Sequence, residues 1–113
     1  SSLAMGCRKE SYHVSVDIDV RDPVITTLAD GSRQLDFTIV VTQLGNYFFR
    51  DFMFELKPFA GGTAIDTFST QLPTAREFVF RTVVVPGAGN YFVNTMVGSE
   101  TNGASGGEMV VVP

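Results

Sequence analysis

The sequence is short of the residues that most metalloproteins and many enzymes depend on. It has one cysteine, one histidine and no tryptophan in 113 residues. A single cysteine excludes an intramolecular disulfide and a thiolate zinc cluster, and a single histidine excludes a multi-histidine metal centre. Charge is sparse, at 18% of residues, and its balance is acidic: eight Lys and Arg against twelve Asp and Glu, a formal net charge of −4. The basic residues Arg8, Lys9, Arg21, Arg33, Arg50, Lys57, Arg76 and Arg81 are scattered, and only Arg8 and Lys9 adjoin. Nucleic-acid binding relies on clustered basic groups that displace counterions from phosphates, so no nucleic-acid partner is expected. No apolar run approaches the ~18 residues of a transmembrane helix, so no membrane span is expected. Eleven Gly and five Pro are too few for a collagen-like or low-complexity chain.

What is present is apolar and aromatic. Hydrophobic residues make up 44% of the chain, which excludes an intrinsically disordered tail. The length suits one domain, which at this size hides roughly two-thirds of its unfolded surface. Five of the ten Phe fall between positions 48 and 59.

The apolar pattern has period two almost throughout, the signature of strands with one wet face. Tyr12, Val14, Val16, Ile18 and Val20 share one face, and His13, Ser15, Asp17 and Asp19 the other. Asp22-Pro23 is expected to stop this strand, because proline cannot donate to a ladder, leaving Val24 to Leu28 as a short edge piece. Asp30-Gly31 marks a turn. Leu35, Phe37, Ile39 and Val41 line one face of a second strand, which turns at Leu44-Gly45-Asn46. A third strand is expected over Phe48 to Lys57 with Phe52, Phe54 and Leu56 inward, and a fourth over Thr63 to Ser69. A fifth covers Arg76 to Val85, with Phe78 and Phe80 on one face and Arg81 on the other. Pro86 to Gly89 forces a tight turn into a sixth, Tyr91 to Val97. Gly98 to Gly107 reads as a small-residue hairpin loop before a last strand, Met109 to Val112. Good helix formers never run long enough for a helix. The expectation is all-β: one antiparallel two-sheet immunoglobulin-like sandwich of about seven strands over residues 11–113, with Phe37, Phe54 and Phe80 in its filling. Residues 1–10 read as a flexible leader or the remnant of a processed signal or tag.

Pro86-Gly87-Ala88-Gly89-Asn90-Tyr91-Phe92-Val93 resembles the turn-plus-tyrosine entry to the penultimate strand of immunoglobulin-like and fibronectin-like domains. The resemblance implies that the Tyr91 hydroxyl ties this corner to the backbone. Asp36 to Asn46, followed by an aromatic strand, resembles bacterial and archaeal extracellular modules of this kind. Antibody-type domains carry a disulfide and a tryptophan that are absent here, so phenylalanine packing must replace them. Fold likeness says little about function. Leu3-Ala4-Met5-Gly6-Cys7 resembles the end of a bacterial lipoprotein signal, although its leucine stands four residues before the cysteine instead of three. It implies lipid attachment at Cys7; a cloning scar, a native leader and a functional surface thiol are the other readings. An extracellular or cell-envelope location goes with these likenesses.

Little in the chain promises catalysis. His13 is the only imidazole, no strained nucleophile turn accompanies it, and it reads as a solvated strand residue. A Cys7–His13 pair would need a rigid scaffold that a flexible leader does not give. A small hydrolase is thus a distant third reading, and no cofactor is expected beyond the option of calcium. Asp17 and Asp19 lie on one face roughly 7 Å apart by strand rise. They read as solvated carboxylates that discourage edge pairing, or as part of a calcium site that would need further oxygens from Asp22 and Asp30. The glycines near 87 and 103 to 107 lack the Lys-Ser or Lys-Thr and the strand–helix setting of a phosphate cradle.

Binding is better supported. Asn46-Tyr47-Phe48-Phe49-Arg50 is aromatic and basic beside a turn, and Tyr47, Phe49 and Arg50 are the candidate contact residues. Phe49 could instead pack beneath a loop, against Phe59; stacking on a sugar is the third option. Strand addition through Tyr12 to Val20 or Met109 to Val112 is a further route to a partner, set against ordinary pairing within the domain. The reading is a non-enzymatic binding or assembly module whose partner is another protein or itself; calcium or carbohydrate binding is the alternative.

Overall fold

Period-two alternation gives each strand one apolar face, and two sheets built from such strands close over each other. The structure is a computed structural model that describes residues 13–98 and 103–113. Among the described residues there are seven strands: β1 (Val14–Thr27), β2 (Arg33–Gly45), β3 (Asp51–Pro58), β4 (Asp66–Gln71), β5 (Arg76–Val85), β6 (Gly89–Gly98) and β7 (Gly103–Val112). One sheet runs in the order β1-β2-β5 and the other β4-β3-β6-β7. Every pairing is antiparallel. The expected all-β sandwich is therefore the observed architecture. β4 joins β3, so the fourth strand lies in the sheet of β6 and β7. The described residues contain no helix long and apolar enough to cross a membrane.

The core is the sum of the inward faces. Val16 and Ile18 of β1 meet Leu35, Phe37, Ile39 and Val41 of β2 on one side; Phe52, Phe54 and Leu56 of β3 with Val93 and Val97 of β6 fill the other. Phe54 stacks between Phe52 and Phe68, with ring centroids 5.9 and 5.2 Å away. Each such ring contributes about 1.5–3 kcal/mol by burial, which is how the domain manages without a disulfide. Thr95, buried in the same layer, donates its hydroxyl to the Met53 carbonyl at 2.6 Å.

Five local expectations need correcting. Pro23 does not end the first strand: β1 runs through it, with a register shift between Arg21 and Val24 and Asp22 at φ 51°. A bulge is a place where a strand tolerates proline, since the missing N–H has no ladder partner there. β3 starts at Asp51, not Phe48: residues 47–50 are not in strand conformation, and the Gln43 side chain binds the Phe49 backbone where a neighbouring strand would. β4 covers Asp66–Gln71, three residues later than Thr63 at its start. Gly103 to Gly107 is not a loop but the first half of β7, and its small residues serve close approach. A Cβ on Gly106 would stand 2.6 Å from the Val16 carbonyl oxygen, and one on Gly107 would run into the Phe92 ring. Finally, Phe80 is not in the filling. It is 77% exposed while Phe37 and Phe54 are buried. The inward set of β5 is Glu77, Val79, Arg81, Val83 and Val85, fixed by the complete burial of Val85.

Arg81 can point inward because it closes the open side between the sheets. Its guanidinium binds both Asp66 carboxylate oxygens, at 3.0 and 3.1 Å, and lies 4.2 Å from the Phe68 ring centroid. The opposite side is closed differently: Glu108 of β7 accepts the Val20 N–H of β1, beside the Gly106 approach to Val16.

Candidate interaction surfaces

The aromatic segment at one end of the sandwich is built on two backbone devices. Gly45 has φ 140°, and a Cβ there would collide with the His13 carbonyl. His13 and Asn46 then bracket the turn, with the His13 N–H donating to the Asn46 side-chain oxygen (2.8 Å) and the Asn46 N–H to the His13 carbonyl (3.0 Å). Beyond it the buried Gln43 amide acts as a substitute strand for Phe49, donating to its carbonyl and accepting its N–H, both at 2.8 Å. Of the three residues expected to make contacts, Phe49 turns onto the core, and only Tyr47 and Arg50 are exposed. Tyr47 meets the Phe49 ring edge-on at 5.1 Å, and the Arg50 guanidinium lies 5.0 Å from the Phe48 ring. Phe59 is not the partner of Phe49; it packs at 6.0 Å on Phe92.

A second exposed surface is one the alternation assigns to the interior. On the outer face of the three-stranded sheet, Phe78 is 51% and Phe80 77% exposed. Val84 shares their strand face, and Val24 stands across the sheet on β1. The register sets Arg21, Thr38 and Phe80 in one row and Asp19, Val40 and Phe78 in the next. Arg76 lies 5.2 Å over the Phe78 ring. A shallow groove of about 310 Å³ runs between Val24 and Phe80 over Asp36 and Thr38. Asp36 accepts hydrogen bonds from the Thr82 hydroxyl (2.5 Å) and the Gln34 amide (3.2 Å), which hold its carboxyl below the ordinary range. The signal that could have revealed this face is the run Thr82 to Val85: once Val83 and Val85 are inward, Phe80 must be outward.

The outer face of the four-stranded sheet carries exposed apolar residues as well, among them Met109 and Val111 of β7. Met53 and Met96 are exposed on neighbouring strands, beside an open groove of about 740 Å³ lined by Asp51, Ser69 and Gln71. Asp17 and Asp19 do not converge with other carboxylates. Asp17 is exposed, and Asp19 pairs with Arg21 at 2.6 Å. Among the described residues no three of His, Cys, Asp and Glu group as metal ligands would. His13 is exposed, and Cys7 lies outside the described residues.

Tyr91 is buried and its hydroxyl donates to the Gly87 carbonyl at 2.6 Å, tying the β5–β6 corner. With two antiparallel layers and this corner, the chain is an immunoglobulin-like β-sandwich module. No family model and no curated protein matches it. Among solved structures it is similar to the CARDB domain of a Pyrococcus furiosus protein, crystallised in complex with di-metal ions. The identity is 15%, the match covers 94% of this chain and 99% of that one, and the TM-score is 0.45.

Proposed function

We propose that this sandwich is a non-enzymatic binding or assembly module that works by presenting exposed aromatics and a strand edge to a protein partner. The observation that carries the reading is the Phe78–Phe80 face. Two phenylalanines with Val24 and Val84 form an apolar strip rimmed by Arg21 and Arg76, on a sheet whose outer face none of the other described strands covers. Exposed aromatics beside arginine are the usual residues of interface hot spots. Tyr47 and Arg50 offer a smaller surface at the end of the sandwich. The lipoprotein-like string before Cys7 supports work at the cell envelope or outside the cell, with Cys7 as the attachment point.

A photo-crosslinking phenylalanine analogue at position 80, expressed in the native cells, tests the reading. A protein adduct identified by mass spectrometry is expected from position 80. None is expected from Thr67, exposed on the opposite sheet. No adduct from 80 and none from Tyr47 would overturn it.

A further inference from the structure

The hydrogen-bond parity of β5 shows what its outer side offers. The Gln43 N–H donates to the Ala75 carbonyl at 2.7 Å. Carried along the register, odd-numbered residues of β5 bond β2, and even-numbered ones turn their N–H and C=O away from it. The edge therefore presents the backbone of Phe78, Phe80, Thr82 and Val84. Among the described residues none of these groups has a hydrogen-bonding partner on that side. The other outer strands are blunted. β1 is bulged and its edge is covered by Glu108 and Gly106. β7 carries three glycines, and β4 has six residues with Thr67, Ser69 and Gln71 facing out. β5 is ten residues long, regular in register, and free of proline and glycine. Its charged residues Arg76, Glu77 and Arg81 are of mixed sign, so they bar pairing only in registers that set like charges together; a long regular edge left uncovered can otherwise pair with another chain.

Resting on the reading above, we infer that the occupant of this edge is a second copy of the chain, paired β5 to β5 about a twofold axis at Val79. An antiparallel twofold pairing must match even with even residues to form ladder bonds. Phe78 opposite Phe80 satisfies this, and the two symmetry-related pairs exchange their N–H and C=O groups. The same register sets Glu77 opposite Arg81, so unlike charges meet, and Phe78 and Phe80 pair across the new ladder. Setting Phe80 opposite itself instead faces Glu77 with Val83, and one step further brings Arg81 onto Arg81. The charge order along the strand thus selects one register. Glu77 already accepts the Thr74 hydroxyl at 3.0 Å, and Arg81 holds Asp66; each keeps that contact and gains a partner across the twofold axis. The product joins two three-stranded sheets into one of six strands and merges both Phe78–Phe80 strips into a continuous face.

Sedimentation of the purified chain from micromolar to several hundred micromolar tests this. Mass should rise from 12.3 kDa toward twice that value. Phe80→Lys and Glu77→Arg should each weaken association at least tenfold with the melting curve unchanged. In a Cys7→Ser background, Val79→Cys should form a covalent dimer, because directly opposed residues in a non-hydrogen-bonded pair are within disulfide reach. Phe80→Cys should not. A monomer at every concentration, a dimer indifferent to both charge and Phe80 variants, or crosslinking from position 80 in place of 79 would overturn the inference. A monomer that still gives a hetero-protein adduct from position 80 in cells would sink the twofold pairing alone and leave the broader reading standing.

Discussion

The two outer strands of the three-stranded sheet are managed in opposite ways. β1 carries Asp17, Asp19 and Asp22, is kinked by the Pro23 bulge, and has its even-numbered backbone groups turned toward β7. There Glu108 takes the Val20 N–H and Gly106 lets the β7 backbone approach Val16. β5 has no bulge, and its phenylalanines stand outside the core. The side chain that spans its side of the sandwich, Arg81, neutralises Asp66 and leaves the β5 backbone open. One edge of a single sheet is sealed by its own chain, and the other has no such seal among the described residues.

The sharpest way to break this contrast is to unseal β1. Gly106→Val should force β7 off β1, since even a Cβ meets the Val16 carbonyl at 2.6 Å. The expected cost is about 2–3 kcal/mol, with new aggregation through β1. A urea midpoint equal to that of the parent protein would show that β7 does not seal this edge. Removing the carboxylate alone is milder. Glu108→Ala leaves the Val20 N–H without its acceptor and should cost about 1–2 kcal/mol. Amide exchange at Val20 should accelerate while exchange at Val41 in the centre of the sheet stays slow; equal rates in parent and variant would argue against the seal.

The smallest expected effect is on the β5 side. Hydrogen bonds from Thr82 and then Gln34 hold the Asp36 carboxyl below its ordinary 3.8. A depressed acid stabilises the fold fully above that ordinary value and loses its contribution as pH falls through the lower folded value. Acid unfolding below pH 3.8 should therefore be shallower in Asp36→Asn. Thr82→Ala should move the Asp36 titration upward when followed by NMR. An unchanged titration would mean that the Thr82 hydroxyl does not tie β5 to β2.

Much of this was legible in the chain. Val16, Ile18, Leu35, Phe37, Ile39, Phe52, Phe54 and Leu56 are buried where period-two alternation put them. The turn at Asp30-Gly31 follows from local chemistry: Gly31 sits at φ 88°, and the Asp30 carboxylate accepts the Ser32 hydroxyl and N–H. That pair of bonds also lowers the Asp30 pKa. Less was legible where apolar residues occupy both faces of a strand. Phe78, Val79, Phe80, Val83, Val84 and Val85 permit either orientation of β5, and a one-residue change of phase exchanges core for surface. The glycines of β7 look like a loop until β1 is set beside them.

Local pattern was enough for the number of strands, the acidic face of β1, the Asp30-Gly31 turn and most of the filling, because each depends on neighbours within a few residues. The burial of Val85 and exposure of Phe80, the meeting of Arg81 with Asp66, and the cover over one edge and not, among the described residues, over the other come from the packing of the sheets. Those outcomes depend on which strand lies beside which, and groups far apart in the chain acquire that relation only when the two sheets close.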